Sequence, residues 1–176
     1  EKAKQLLAES GVDVKGKKFR LTVGENQPYI DMCQIIQSQL KDNLGIDVEI
    51  EVMENAAYWS FISTPDKDFF IGAWGAVGFP EPDNNLFGPW AQANIPEGNS
   101  AWYKNDEVDT MLIKQRELPD GPEREALVKD IQKKIRDDAV CISLGNPLNM
   151  VGIRSYVKGF EVIAPEHQNY NSVYFE

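Results

Sequence analysis

The stretch from Ile46 to Val52 leaves the chain little conformational choice. Ile46, Val48, Ile50 and Val52 alternate with Asp47, Glu49 and Glu51, so in an extended backbone one face is apolar and the other acidic. Such a strand buries one side, wets the other and belongs near a sheet edge. Upstream, Phe19, Leu21 and Val23 alternate with Arg20 and Thr22 in an earlier strand. Between the two, Ile30, Cys33, Ile36, Leu40 and Leu44 recur at helical spacing from about Tyr29 to Leu44. The breaker Asn26-Gln27-Pro28 precedes that helix and Gly45 stops it. A strand, an amphipathic helix and a second strand call for a crossover connection, and hence for parallel pairing.

The rest of the chain extends this pattern. Residues 1–10 read as a helix with Ala3, Leu6 and Leu7 on one side and Gly11 as its stop. Asn55 is placed to cap a short helix carrying Tyr58, Phe61 and Ile62. Phe69-Phe70-Ile71-Gly72-Ala73-Trp74 is apolar on both faces and reads as a central strand covered on both sides. From Gly75 to Ser100 the chain is loop-like, with one turn of helix expected near Asp83 to Leu86. Two helices follow, the first capped by Asn105 and bearing Val108, Met111 and Leu112. The second opens at Gly121-Pro122 and carries Leu127, Ile131 and Ile135 as its buried stripe. Glu125 with Lys129 and Asp130 with Lys134 form i,i+4 pairs on its wet side. Val140–Leu144, Met150–Ile153 and Ser172–Phe175 read as further strands.

The fold class is therefore α/β, with a mostly parallel central sheet and helices on both faces. Open sheets of this kind bind ligands beyond the carboxyl ends of their strands. Those ends are Gly24-Glu25-Asn26, Met53-Glu54-Asn55 and Trp74-Gly75-Ala76-Val77. Strand-end geometry makes Asn26, Tyr29, Asn55 and Asn146 candidate ligand contacts.

Charge and composition exclude several functions. Eighteen basic against 28 acidic residues leave a net charge of −10, which opposes both nucleic-acid and anionic-lipid partners. No apolar run reaches the roughly 18 residues of a membrane-spanning helix. The opening Glu1-Lys2-Ala3-Lys4-Gln5-Leu6-Leu7 reads as the interior of a longer protein. Cys33 and Cys141 are too few for a disulfide scaffold; they read as two buried small hydrophobes, with a single disulfide as the alternative.

A search for catalysis returns little. His167, the single histidine, lies in the polar segment Pro165-Glu166-His167-Gln168-Asn169 and reads as an exposed loop residue. Zinc sites of the usual kinds need more His and Cys than this. Neither GxxxxGK[ST] nor GxGxxG occurs, so no nucleotide cofactor is expected. Glu81 and Asp83 are the one carboxylate pair that could serve a small hydrolase, since glycosidases work with two carboxylates. Trp74 reads either as a core cap or as a ligand-facing ring beside the small residues Gly75, Ala76 and Gly78.

Several stretches, in order along nearly the whole chain, carry a likeness. They are Ala3–Gly11, Ile35–Lys41 followed by Leu44-Gly45-Ile46-Asp47-Val48, and Trp74-Gly75-Ala76 with Pro82-Asp83-Asn84. Tyr103-Lys104-Asn105-Asp106-Glu107-Val108-Asp109 and Val157-Lys158-Gly159-Phe160 complete the set. Together they resemble the C-terminal lobe of the extracellular solute-binding proteins of ABC transporters, in the oligopeptide, dipeptide and nickel family (family 5).

The resemblance implies a periplasmic-binding-protein-like lobe of type II, with no enzymatic activity and no cofactor. It also implies a place outside the cytoplasmic membrane, periplasmic or at the cell surface. A peptide-like solute would be captured between two lobes and handed to the ABC permease. Residues 1–176 would form a single lobe: a leading helix and turn at 1–18, a core at 19–156, and an extension at 157–176 toward the missing lobe. In peptide-binding relatives the stretch matching Ala73-Trp74-Gly75-Ala76 offers backbone hydrogen bonds to an extended peptide, a form of strand addition. A carboxylate three residues after the matching Trp pairs with the peptide's α-ammonium; here that position is Val77. Asn55 falls where many relatives carry a ligand-facing Trp. Glu81 or Asp83 is the candidate substitute for the missing carboxylate. Nickel-chelate binding has only His167 to draw on. Two other ligand roles stay open: an oligosaccharide stacked on Trp59, Trp74, Trp90 or Trp102, and a peptide-sensing receptor.

Overall fold

The computed structural model describes residues 1–73, 81–146, 150–161 and 170–176. Its described residues fall into two compact units. The first comprises Glu1–Ala73 with Ile95–Trp102, and the second Trp74–Asn94 with Tyr103–Glu176.

In the first unit the chain runs α1 (Lys2–Ser10), β1 (Lys18–Gly24), α2 (Gln27–Leu44), β2 (Asp47–Met53), α3 (Asn55–Ile62) and β3 (Phe69–Ile71). The three strands form one sheet in the order β2-β1-β3. Both pairings are parallel, with Leu21 beside Ile50 on one side and Phe69 on the other. The crossover expected from sequence is thus present. Gly11 and Gly45 stop α1 and α2 in left-handed conformation at φ 68°, a geometry that glycine adopts without steric cost. Leu21, Val23, Val48 and Ile71 pack with Cys33, and Tyr29, Ile30, Ile36 and Leu40 of α2 close that core. Gln37 of α2 donates to the Val48 carbonyl at 2.7 Å, fixing the helix against β2.

Among the described residues β2 lies at the sheet edge, as its acidic face predicts, and β3 does not take the central place that its apolar run implied: β1 occupies the centre of the three strands, and β3 pairs only with β1. Phe69 is accordingly 46% exposed. A continuous apolar run reports burial without saying which neighbours supply it.

The second unit contains α4 (Pro82–Trp90), a short 3-10 turn (Gln92–Asn94), α5 (Asp106–Glu117) and α6 (Pro122–Asp137). Val108, Leu112, Val128, Ile131 and Ile135 are buried between α5 and α6. Leu127, expected in that stripe, is only half-buried, and Val128 takes its place. Asn105 caps α5 by accepting from the Glu107 and Val108 amides. Glu125 pairs with Lys129 at 2.6 Å as expected. Lys134 instead reaches Glu107 of α5 at 2.8 Å, so the Asp130–Lys134 pair does not form.

Two strand expectations fail. Val140–Leu144 and the Met150–Ile153 stretch adopt no regular secondary structure, and Ile142 and Met150 stand 85% and 89% exposed. A strand needs an edge to pair with, and these residues pair with none within the described part of the chain. Near the end, β4 (Val157–Lys158) and β5 (Tyr174–Phe175) pair antiparallel, which realises part of the expected terminal strand. The thiols are both free; Cys33 is buried, while Cys141 is exposed and not a core residue.

Candidate functional site

All three parallel strands of the first unit end at the same side of the sheet. Beyond these ends Glu25, Asn26, Glu54, Asn55, Gly72 and Ala73 are exposed. The rim is therefore made of two carboxylates, two amides and the two small residues Gly72 and Ala73.

Asn26 has extended backbone and caps α2. Its side-chain oxygen accepts from the Tyr29 amide at 3.4 Å, and its carbonyl accepts from the amides of Tyr29 and Ile30 at 3.0 Å each. Pro28 in the first turn needs no such acceptor. The Tyr29 side chain, half-buried, packs against the core below. The cap of α3 differs from the sequence expectation. Glu54, not Asn55, accepts from the Ala56 and Ala57 amides at 3.0 and 3.1 Å. These two bonds hold the Glu54 carboxyl below its ordinary range. Glu54 takes the cap because its longer side chain reaches back to the first free amides; Asn55 is left as the first helical residue, free of capping duty.

Asn55 lies directly over the end of β1. A methyl group placed on Gly24 would meet Asn55 Oδ1 at 2.8 Å and the Tyr58 ring at 3.3 Å. Glycine at 24 is what allows this approach. Tyr58 is a residue that the sequence reading placed on the short helix and did not count among the site candidates. Its ring is buried, 3% exposed, and its hydroxyl donates to the Ile71 carbonyl at 2.6 Å. Burial first, then the neighbouring Cys33 and Tyr29, push its pKa up to about 12, so the hydroxyl remains a donor at any physiological pH. The signal available in the sequence was the pair Gly24 and Gly72, one at each strand end, which together leave room for a large ring. Trp59 packs edge-on to Tyr58 at 5.4 Å and is 53% exposed.

Asn26, Tyr29 and Asn55 are thus gathered at one sheet end. Asn146 belongs to the second unit and is exposed in irregular backbone. Trp74, Gly75, Ala76, Val77 and His167 lie outside the described residues. Among the other tryptophans, Trp102 donates to the Ser63 carbonyl at 3.2 Å and Trp90 packs edge-on to Tyr103 at 6.3 Å. Both rings serve as anchors.

Glu81 and Asp83 are both committed elsewhere. Glu81 caps α4 through the Asp83 amide and is gripped by Arg124, whose hydrogen bonds hold its carboxyl below the usual range. Asp83 accepts from Gln115 and pairs with Arg116 at 3.3 Å. A general acid needs a raised pKa, and a partner for a ligand's ammonium needs an unpaired carboxylate. Glu81, with its carboxyl held low, fails the first need, and both residues, paired with arginines, fail the second. No group of three or more His, Cys, Asp and Glu side chains among the described residues is arranged to hold a metal ion. No described helix is long and apolar enough to cross a membrane.

Residues 1–97 match the family model of the bacterial extracellular solute-binding proteins, family 5, middle region. The oligopeptide-binding protein AppA of Bacillus subtilis is 28% identical over 186 residues, covering 97% of this chain and 33% of its own length. A probable D,D-dipeptide-binding periplasmic protein of Escherichia coli, DdpA, is 27% identical over 152 residues, covering 85% of the chain and 29% of its own. Among solved structures, the periplasmic binding protein DppA of Helicobacter pylori, in complex with the peptide STSA, superposes with a TM-score of 0.85 at 32% identity. That match covers 99% of this chain and 34% of the other. The chain spans about a third of the length of these curated relatives.

Proposed function

Since the chain belongs to the bacterial extracellular solute-binding proteins of family 5, we propose that it is part of a receptor that captures a peptide outside the cytoplasmic membrane for an ABC importer. The observation that carries this reading is the near-complete alignment of the chain with an oligopeptide-binding protein. The sheet end supports it: exposed backbone at Gly72 and Ala73 flanked by the amides of Asn26 and Asn55 suits a ligand recognised through its own backbone. The relatives described above are named for peptides, which favours a peptide over a sugar. They are binding proteins, which favours capture over turnover. The commitment of Glu81 and Asp83 to arginines weighs the same way.

On this reading the 176 residues contribute one lobe of a two-lobed protein, and Trp74 to Val77 carry the direct contacts. Because Val77 supplies no carboxylate, recognition of a free amino terminus falls to the rest of the parent protein or is dispensed with. The lobe alone would bind peptide with about millimolar affinity or weaker, because closure supplies contacts from both lobes.

The test is native mass spectrometry of the full-length protein, purified gently from its host. Co-purifying masses that differ by amino-acid residues support the proposal. A ladder of hexose or pentose spacing, or sub-micromolar binding by residues 1–176 alone, overturns it.

A further inference from the structure

We propose that Tyr58 is a positioning residue for peptide binding: its buried hydroxyl, bonded to the Ile71 carbonyl, fixes the exit of β3 where the chain passes to the binding rim. This inference rests on the peptide-capturing reading above and adds to it a residue that no sheet-end rule would select.

β3 has only the residues Phe69 to Ile71, and among the described residues it pairs with β1 alone. A strand this short is held by few ladder bonds, so its last carbonyl gains most from a side-chain partner. Tyr58 supplies the constraint. Its hydroxyl lies 2.6 Å from the Ile71 oxygen. A methyl group on the next residue, Gly72, would stand 3.1 Å from that same hydroxyl. The ring simultaneously contacts the Gly24 position at the end of β1. One side chain on α3 therefore touches the tips of the central strand and of β3. The bond from Tyr58 ties down the carbonyl of Ile71, directly before the exposed residues Gly72 and Ala73. Backbone recognition requires donors and acceptors placed within a few tenths of an ångström, so a fixed strand exit acts on affinity without touching ligand.

The experiment uses the full-length protein, a library of two- to five-residue peptides and native mass spectrometry, with melting temperatures measured alongside. Tyr58→Phe keeps the ring and removes only the hydroxyl. Tyr103→Phe removes an equally short hydroxyl bond, to Asp138 at 2.6 Å in the second unit, and serves as the control for general destabilisation. The expected result is about a five- to tenfold loss of peptide affinity in Tyr58→Phe, with faster amide exchange over residues 69–73. Tyr103→Phe retains wild-type affinity. Wild-type affinity in Tyr58→Phe overturns the proposal while leaving the peptide reading intact. An equal loss in Tyr103→Phe overturns it too, since the effect would then be generic. If the wild-type protein captures no peptide from the library, the peptide reading itself falls, and this inference with it.

Discussion

Replacing Gly24 by alanine tests the packing of the candidate site with a magnitude set by distances. The new methyl would lie 2.8 Å from Asn55 Oδ1, and 3.3 and 3.4 Å from two atoms of the Tyr58 ring. The first contact is one that real methyl groups do not tolerate, but it is made by the end of an exposed side chain, which can rotate away. The other two are tight, and the buried ring has nowhere to go. Overpacking of this kind costs about 1–3 kcal/mol. Against it stands the backbone entropy that alanine removes from the unfolded chain, about 0.4–1 kcal/mol. Gly24 has no left-handed φ to forfeit, so the net loss for Gly24→Ala is about 0.5–2 kcal/mol. The discriminating variant is the double mutant with Asn55→Ala. Asn55→Ala alone removes an exposed, non-capping side chain and should change stability by less than about 0.5 kcal/mol. In its background the 2.8 Å contact is absent, so Gly24→Ala should cost about 0.5–1 kcal/mol less than in the wild type. Urea unfolding of the four proteins, followed by circular dichroism, gives the coupling. Strict additivity would show that Asn55 turns away at no cost, and the reasoning that it is held in place over the end of β1 would be wrong.

Other consequences are simpler to check. Tyr58 and Tyr103 both have pKa values raised from 10.0 to about 12. Their contribution is whole below pH 10 and is lost as pH rises through 12, so melting temperature should fall over that window as tyrosinate absorbance appears. Asp138 is depressed below 3.8, chiefly by the Tyr103 hydroxyl and then by Asn105. Its contribution is present above that pH and lost on acidification, and Asp138→Asn should flatten the acid limb of a melting profile recorded from pH 5 to 2. Ile131→Ala empties a fully buried site between α5 and α6 and should cost about 2–5 kcal/mol in chemical denaturation; the exposed Ile113→Ala should cost under about 0.5 kcal/mol. Asn105→Ala removes the two-amide cap of α5 and should cost about 1 kcal/mol, seen as lowered urea resistance.

Local pattern decided what could be read from the chain. The β1-α2-β2 unit was legible because the apolar period changes from two to three-and-a-half residues and back, with Gly45 marking the second change. Asn105 was legible as a cap because an Asn directly before a helically spaced apolar run marks a helix start; the bond its side-chain nitrogen donates to Asp138 at 2.8 Å was not, since no local window contains that partner. Glu54 was missed for the opposite reason: a Glu at that position commonly faces solvent, and only the backbone turn reveals its two amide bonds. The apolar residues at Val140–Leu144 and in the Met150–Ile153 stretch read as strands because their composition suits one. Strand formation depends on a neighbouring edge, which a sequence window does not contain. At the site, strand ends and glycines pointed to the rim, and Asn26 and Asn55 followed. Tyr58 escaped because a ring that fills space and a hydroxyl that holds a carbonyl look identical in one letter.

The order β2-β1-β3 has one further consequence. Leu21 and Val23 meet α2, whereas the next position, Gly24, faces Asn55 and Tyr58 of α3. Neighbouring residues of a strand point to opposite sides, so consecutive helices depart toward opposite layers. Their connecting loops part at the strand tips by chain topology, with no side chain needed to hold them apart. A parting made this way survives substitution of the residues around it. If the proposed peptide reading holds, Asn26 and Asn55 are then free to drift while the framework persists, a division of labour by which one backbone can give rise to receptors of different taste.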